Sequence, residues 1–172
     1  TPMTTIKNHN LPGICSYRLD TNIDERGFFT EVLRQDWGDF LNTDWVTQIN
    51  LSKSYQGIVH AWHRHDRGQI DYLLVLEGSL KIVAYDDDSD SPTQGNICEI
   101  TTSSKQLELV RIPGNYWHGH KSVGSSDALS IYMVTQLYDY KNPDEQRRDW
   151  DDPAIIDPRT KQPYDWFAAP HK

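Results

Sequence analysis

Short runs of alternating apolar and polar residues follow one another along most of the chain. Such alternation is typical of β-strands that bury one face. Eight runs, separated by glycine, proline or acidic turns, predict strands at residues 47–51, 58–63, 70–77, 79–85, 96–100, 106–112, 116–121 and 128–136. Only residues 29–41 and 144–148 favour a helix. Many short strands with this spacing indicate an all-β sandwich or barrel.

Length and composition limit the classes of protein to which this chain can belong. A length of 172 residues predicts a single domain spanning 1–172. No apolar run approaches the roughly 18 residues that span a bilayer, and no signal-like segment opens the chain, so a cytoplasmic location is expected. The net charge of −8 argues against nucleic acid or an anionic membrane as the main partner. Cys15 and Cys98 fit no metal-binding spacing and are predicted to be buried thiols.

A cluster of histidines stands out within this pattern. His60, His63 and His65 lie on or beside the predicted strand 58–63, and Gln69 follows shortly after. Successive side chains of a regular strand point to opposite faces, so His63 and His65 should share one face and His60 should lie on the other. Two imidazoles on one strand face make a poor hydrophobic core and therefore indicate a functional site.

The spacing of these residues resembles the cupin signatures. Residues 57–78 resemble the first signature, and residues 113–118 resemble the second, which ends in a histidine. The resemblance implies an all-β cupin double-stranded β-helix, or jelly roll, with short flanking helices. In that fold two hairpins face each other inside a small barrel. Four side chains would then converge on one cavity: His63, His65, Gln69 and His118.

A longer comparison makes the resemblance more specific. The chain resembles the dTDP-4-dehydro-6-deoxyglucose 3,5-epimerase family, the cupin-type enzymes of the rhamnose pathway. Matching blocks occur in the family's order at residues 24–31, 48–54, 57–63, 91–95, 112–119, 132–138 and 150–153. The resemblance implies an isomerase that epimerises a nucleotide-diphospho-4-keto-6-deoxyhexose at C3, C5 or both, for deoxysugar, lipopolysaccharide O-antigen or other surface polysaccharide synthesis. Sheet edges and an aromatic content of 11% favour a homodimer.

The reaction of this family defines which residues to look for. Epimerisation beside a ketone needs a base on one face, an acid on the other, and a group that stabilises the enolate oxygen. The resemblance assigns His63 as the base, Asp152 as the partner of its far nitrogen, and Tyr132 as the acid. It places His118 near the enolate oxygen. Contacts to the nucleotide or sugar are expected from Arg26, Gln48, Asn50 and Tyr138.

Two departures from the family pattern concern charge. The family has Arg at the position of His60 and Lys at the position of Asp71. A unit charge at about 4 Å and an effective dielectric constant near 20 contributes about 4 kcal/mol, so reversing its sign affects the reaction strongly. In a first account, His60 and His118 stabilise the enolate, and Asp71 orients His60 or a sugar hydroxyl.

Three further accounts stay open. The family template works without a metal, so no cofactor is expected; alternatively, a divalent ion replaces the lysine as Lewis acid on His63, His65, Gln69 and His118. The histidine pair His63 and His65 also resembles that of cupin sugar 3,4-ketoisomerases. A sugar-nucleotide-binding cupin without catalysis is the non-enzymatic alternative. The epimerase is the preferred prediction because the matching blocks extend into the region from Tyr132 to residue 153.

Overall fold

The computed structural model describes residues 6–171 and consists largely of antiparallel strands. The first strands are β1 (Ile6–Asn8), β2 (Cys15–Arg18), β3 (Asn22–Asp24) and β4 (Gly27–Phe29), followed by the short helix α1 (Gly38–Leu41). The barrel strands are β5 (Gln48–Ser54), β6 (Val59–Arg64), β7 (Ile70–Glu77), β8 (Ser79–Tyr85), β9 (Ile97–Ser103), β10 (Glu108–Pro113), β11 (Trp117–Val123) and β12 (Ala128–Val134). The last strand is β13 (Gln146–Arg147).

The strands form two main sheets that face each other. One has six strands in the order β1-β2-β10-β7-β12-β5, and the other has five in the order β13-β6-β11-β8-β9. Strands β3 and β4 make a separate hairpin. Neighbouring strands pair antiparallel throughout the described residues, as expected of a jelly roll. The all-β fold class predicted from sequence is confirmed.

Alternation of side chains along the strands divides the apolar residues between two layers. Leu73 and Val75 of β7 lie in the core cluster between the sheets, together with Leu80 of β8. Their neighbours Tyr72 and Leu74 point to the opposite face and belong to a second cluster. This two-residue period explains why the eight predicted strands are all present, with ends that differ by up to three residues.

The C-terminal segment covers the outer face of the five-stranded sheet. Ile155, Tyr164 and Trp166 are buried there against Trp62 of β6 and Trp117 of β11. The ring centroids of Trp62 and Trp166 lie 5.0 Å apart. The outer faces of strands β6 and β11 are therefore covered by the C-terminal segment. This packing holds the histidines on their other face in place.

Both predicted helices need correction. Within residues 29–41 the helix is limited to Gly38–Leu41, and Phe29 belongs to β4. The extended chain between them packs apolar side chains on the outer cluster of the six-stranded sheet, which outweighs local helix propensity. Residues 144–148 contain β13 instead of a helix. Arg148 exchanges two backbone hydrogen bonds with Trp62, of 3.0 and 3.1 Å, so tertiary pairing sets the local conformation.

Two smaller sequence expectations can also be compared with the structure. Cys15 and Cys98 are both buried and are not joined in a disulfide, as expected. Within residues 6–171, no helix is long and apolar enough to cross a membrane.

Candidate active site

One end of the barrel holds a cavity of about 460 Å³ between the two sheets. This volume lies within the usual range for small-molecule sites. The five-stranded sheet contributes four histidines, His60, His63, His118 and His120. The facing sheet contributes polar residues, among them Gln48, Asn50, Asp71 and Tyr132. The apolar floor is formed by Leu73, Ile82 and Ile112.

A β-bulge brings His60 to the same side as His63. His118 of β11 pairs with His63, whereas His120 pairs with His60, so β6 advances by three residues between these pairs where β11 advances by two. The extra residue changes which side chains face the cavity. The expectation that His60 lies on the opposite face of the strand is therefore wrong, because it assumed a regular strand.

His63 lies beside a carboxylate that the sequence did not indicate. Its Nδ1 is 3.4 Å from Glu145 Oε1, and Arg147 Nη2 holds the other Glu145 oxygen at 2.9 Å. Burial lowers the pKa of His63 to about 4; the nearby His118 also lowers it, and Glu145 opposes the shift. His63 is therefore neutral near pH 7, the state in which an imidazole accepts a proton.

Asp152 does not contact His63. Its carboxylate accepts hydrogen bonds from Arg148 Nε at 2.6 Å and from the Ala154 backbone N–H at 2.9 Å, and it does not line the cavity. The predicted pairing of His63 with Asp152 is wrong. Asp152 stays in its turn because Arg148, on the segment paired to β6, occupies the carboxylate. Glu145 takes the position that the prediction gave to Asp152.

His118 and Asp71 form a buried contact at the centre of the site. His118 Nδ1 donates to the Tyr116 carbonyl at 2.8 Å, and its Nε2 lies 3.4 Å from Asp71 Oδ2. Burial alone would lower the pKa of His118, but the Asp71 carboxylate more than offsets this and raises it. The Asp71 pKa is lowered despite burial, because His118 stabilises the carboxylate.

His65 completes a compact group around Asp71. Its Nε2 lies 3.9 Å from Asp71 Oδ2, and Gln69 Nε2 donates to Asp71 Oδ1 at 2.7 Å. Ligand-type atoms of His65, Asp71 and His118 all lie within 4.8 Å of one another. Among residues 6–171, this is the group close enough to hold a metal ion. This group differs from the ligand set expected from sequence, since it contains Asp71 and not His63, while Gln69 turns its amide N–H towards Asp71.

Tyr132 faces the histidines from the other wall. It lies on β12 in register with Asn50 of β5 and Leu73 of β7, so it belongs to the six-stranded sheet. Burial raises the pKa of Tyr132, and the carboxylates of Asp71 and Glu145 raise it further. Its hydroxyl therefore keeps its proton at neutral pH, as a proton donor must.

The expected ligand contacts divide into two groups. Gln48 donates to Asn50 Oδ1 at 2.9 Å and accepts a 3.0 Å hydrogen bond from the backbone N–H of Tyr138, and all three residues line the cavity. Arg26 is different. Its side chain is 85% exposed on the β3–β4 hairpin, paired with Asp24, and does not line the cavity of its own chain.

Several residues that line the cavity were missed from sequence. His120 alternates with His118 on β11, so its place on the same face followed from the strand period. Burial lowers the pKa of His120 to about 3, which keeps it uncharged. No comparable signal marked the other charged residues, because their segments reach the cavity through tertiary pairing. They include Arg67, Asp139, Asp144, Glu145 and Arg147.

The described lining therefore carries an excess of negative charge. Its permanent cations are Arg67 and Arg147, against the four carboxylates Asp71, Asp139, Asp144 and Glu145. Arg147 is already engaged by Glu145, and Arg67 donates to the Asn142 carbonyl. An anionic ligand or intermediate in this cavity needs positive charge from elsewhere.

A jelly roll with a neutral histidine on one wall and a protonated tyrosine on the other defines the class of cupin-type sugar epimerases. Comparison with known proteins agrees with this class. The chain belongs to the dTDP-4-dehydrorhamnose 3,5-epimerase family, whose sequence model matches residues 8–158. The chain is thus an isomerase, and the epimerase assignment made from sequence is confirmed.

Two curated relatives and one solved structure illustrate the similarity. The probable low-salt glycan biosynthesis epimerase Agl13 of Haloferax volcanii is 40% identical over 133 residues, covering 77% of this chain and 84% of that protein. The spore coat polysaccharide biosynthesis protein SpsL of Bacillus subtilis is 32% identical over 145 residues, covering 84% and 93%. The epimerase RmlC of Legionella pneumophila, solved with dTDP-4-keto-L-rhamnose, has a TM-score of 0.79 at 27% identity, covering 88% and 81%.

Proposed function

We propose that this enzyme inverts C3, C5 or both of a nucleotide-diphospho-4-keto-6-deoxyhexose through an enolate. The observation that carries the proposal is the placement of His63 and Tyr132 on opposite walls of one cavity. Inversion requires a proton to leave one face of a carbon and another to arrive on the opposite face. A sugar ring held between the two walls meets both requirements.

The steps follow from the protonation states. His63 Nε2 takes the proton from the carbon beside the ketone, and the C–H electron pair forms the enolate. Glu145 stabilises the resulting imidazolium, because its carboxylate lies beside Nδ1. Tyr132 then gives its proton to the opposite face, the ketone re-forms, and solvent restores both side chains. The enolate oxygen lies against the wall that carries His60 and His118.

The cavity mouth is the proposed place for the nucleotide. Gln48, Asn50 and Tyr138 are linked by hydrogen bonds there, and Tyr138 presents a ring that is 45% exposed. A flat exposed ring suits a nucleobase or sugar face. The Legionella relative, solved with a dTDP-linked 4-keto sugar, supports a substrate of this class.

We propose that the enzyme acts as a homodimer. Strand β5 is one of the two edge strands of the six-stranded sheet, and its outward residues Ile49 and Leu51 are 63% and 68% exposed. An apolar edge strand of this kind is a ready site for pairing with a second copy. The β3–β4 hairpin adds exposed Phe28 and Phe29. Since Arg26 on that hairpin is outside its own cavity, we assign it to the cavity of the second copy.

The cellular role is proposed from the relatives. The names of Agl13 and SpsL refer to glycan and spore coat polysaccharide biosynthesis, which supports a role in making surface glycans. The proposal that the product enters a lipopolysaccharide O-antigen rests on the resemblance stated from sequence. We place the enzyme in the cytoplasm. Two buried cysteines without a disulfide are consistent with a reducing compartment.

Deuterium uptake tests the proposal. The protein is incubated in heavy water with dTDP-, GDP- and CDP-linked 4-keto-6-deoxyhexoses, and the sugars are followed by mass spectrometry and NMR. Uptake at C3, C5 or both, abolished in His63→Ala, is the expected result and identifies the carbons that are inverted. Migration of the carbonyl would indicate a ketoisomerase instead. Tight substrate binding without deuterium uptake would indicate a binding protein. Carbonyl migration or binding without uptake would each overturn the proposal.

A further inference from the structure

Two histidine nitrogens and one carboxylate oxygen converge in the interior of the cavity. Asp71 Oδ2 lies 3.4 Å from His118 Nε2 and 3.9 Å from His65 Nε2. The three side chains are only 10% to 14% exposed, so water screens them little. If both imidazoles were neutral, three buried acceptors would face one another without a donor between them, which is unfavourable. Their arrangement therefore implies a positive species among them.

Hydrogen bonds behind the two imidazoles fix which nitrogen faces Asp71. His118 Nδ1 contacts the Tyr116 carbonyl at 2.8 Å, and His65 Nδ1 contacts the Asp144 carbonyl at 2.6 Å. A backbone carbonyl only accepts, so each Nδ1 carries the hydrogen. Each neutral ring then presents the lone pair of Nε2 to the carboxylate. A histidine that ligates a metal is usually held in this way, with its other nitrogen donating to a carbonyl.

The Asp71 carboxylate is also oriented by a hydrogen bond on its far side. Gln69 Nε2 donates to Asp71 Oδ1 at 2.7 Å, which leaves Oδ2 directed towards the two imidazoles. The Asp144 residue behind His65 is itself anchored, since its carboxylate accepts the backbone N–H groups of Asp66 and Arg67, both at 2.9 Å. All three inward-facing atoms are thus oriented by hydrogen bonds on their far sides.

A single proton satisfies only part of this arrangement. If His118 Nε2 carries the proton, the contact with Asp71 becomes an ion pair. The lone pair of His65 Nε2 still points at the lone pairs of the carboxylate. A metal ion contacts all three atoms together. Ligands bound to one ion at about 2.1 Å lie about 3.0 to 3.4 Å apart. The His118–Asp71 pair already has this separation, the His65–Asp71 pair at 3.9 Å is about half an ångström longer, and all three atoms lie within 4.8 Å of one another, so the site closes on the ion by small movements of the His65 ring.

We propose that His65 Nε2, Asp71 Oδ2 and His118 Nε2 bind one divalent transition-metal ion. Two imidazoles and one carboxylate suit a borderline ion such as Zn²⁺ or Co²⁺, and three protein ligands leave a position open for an oxygen ligand. The ion supplies positive charge to a cavity lined by more carboxylates than arginines. This set differs from the one suggested by sequence, as it contains Asp71 in place of His63 and Gln69.

The catalytic role of the ion rests on the proposed epimerase function. At the open position the ion binds the ketone oxygen of the sugar as a Lewis acid. When His63 removes the proton, the developing enolate charge rests on that oxygen, with no change in oxidation state. The metal then performs the task that the family pattern gives to a lysine at position 71.

Metal binding is tested first without any substrate. The protein is stripped with a chelator, Co²⁺ is added stepwise, and the visible spectrum and binding heat are recorded, with metal content of the untreated protein measured by mass spectrometry. About one Co²⁺ per chain is expected. Asp71→Asn and His65→Ala should each weaken binding at least about 100-fold. Gln69→Leu, which removes only the hydrogen bond behind Asp71, should weaken it about 10- to 100-fold.

His63→Ala is the matched control, because it removes a neighbouring cavity histidine that is not in the group. It should bind Co²⁺ like the original protein. Circular dichroism establishes that each variant is folded. Absence of one-to-one binding in the original protein would overturn the proposal and leave a proton on His118. Loss of binding in His63→Ala with unchanged binding in Asp71→Asn would overturn it as well.

Deuterium exchange then separates the metal from the epimerase function. Stripped protein should exchange substrate protons at least about 100-fold more slowly than protein reloaded with Zn²⁺ or Co²⁺. Full exchange by stripped protein would remove the Lewis-acid role and leave the epimerase intact. Binding of Co²⁺ without exchange on any substrate would do the reverse: the metal site would stand and the epimerase proposal would fall.

Discussion

A neutral histidine is a competent base only if its cationic form can be stabilised when it forms. Burial keeps His63 uncharged at neutral pH, with a pKa of about 4. The Glu145 carboxylate lies 3.4 Å from its Nδ1 and favours the imidazolium. Substrate that closes the cavity removes water and strengthens this attraction. The reactivity of His63 therefore depends on Glu145, which is distant in sequence and directly precedes strand β13, which pairs with β6.

Replacing the base itself gives the first prediction. His63→Ala should reduce deuterium exchange into substrate at least about 100-fold, the low end for a positioned general base. The His63 side chain is 29% exposed, so its loss should leave the fold intact. Exchange rates are measured by mass spectrometry, with His171→Ala as the control on a histidine near the C-terminus. Near-normal exchange in His63→Ala would show that another group removes the proton.

Glu145 and Asp152 can be told apart by the second prediction. Glu145→Gln should lower kcat/KM about tenfold, which corresponds to about 1.4 kcal/mol. Because Glu145 raises the pKa of His63, its removal should also move the acid limb of the pH–rate profile to lower pH. Asp152→Asn should lower Tm through loss of its 2.6 Å contact with Arg148 and leave the pH profile unchanged. A shifted profile in Asp152→Asn alone would restore the sequence-based pairing.

At the scale of elements, the site depends on the contact between β6 and β11. The bulge in this pair turns both His60 and His63 into the cavity. Gly119 makes the close approach of the two strands possible, since a Cβ there would lie 2.4 Å from Ala61 Cβ and 2.6 Å from the His60 carbonyl oxygen. Real Cβ atoms do not approach other atoms so closely, so any side chain at this position must push the strands apart.

Gly119→Ala is the third prediction. It should destabilise the protein by about 1 to 3 kcal/mol, as overpacking does, and lower Tm by several degrees. It should also slow exchange, because the displaced β6 carries His60 and His63. Gly38→Ala is the control, because its added Cβ meets nothing within 4 Å. Thermal unfolding and exchange are measured on both. Equal Tm values for the two variants would show that β6 and β11 tolerate separation.

The elements also show how far the sequence predicts this molecule. Alternation along single strands was sufficient to predict the eight barrel strands, and the resemblance to cupin and epimerase sequences was needed to bring His63, His118 and Tyr132 into one site. Features that arise only when strands pair could not be predicted from the sequence. The bulge that turns His60 arises between two strands. Glu145, the residue directly before β13, reaches His63 because β13 pairs with β6 and Arg148 bonds to the backbone of Trp62. No local pattern distinguishes such a segment from a short helix.

At the scale of the whole molecule, the charge of the cavity and the exposed apolar surface both favour a dimer. The chain carries a net charge of −8, and the described cavity lining has more carboxylates than arginines. Arg26 lies outside that cavity, on a hairpin that presents exposed Phe28 and Phe29. A dimer built on β5 would cover the apolar surface. It would also bring an arginine to the cavity in which we propose that the nucleotide diphosphate binds.

The dimer interface gives the fourth prediction. Ile49→Lys with Leu51→Lys places two charges on the edge strand, so the double variant should become a monomer. The original protein should sediment near twice its chain mass of 19.9 kDa. Ile156→Lys, at a partly exposed position on the C-terminal segment, is the control and should remain dimeric. Sedimentation velocity distinguishes the two states. A monomeric original protein would contradict the prediction at once.

Mixed dimers give the last prediction, on the position of Arg26. If this arginine serves the cavity of the second copy, Arg26→Ala and His63→Ala each damage both sites of their own homodimers. A dimer with one chain of each kind then has one cavity with both residues intact. When equal amounts of the two variants are refolded together, half of the dimers are mixed and each mixed dimer has one intact site. About a quarter of the original exchange activity should therefore be recovered. No recovery, with mixed dimers demonstrated by mass spectrometry, would mean that Arg26 does not contribute across the interface.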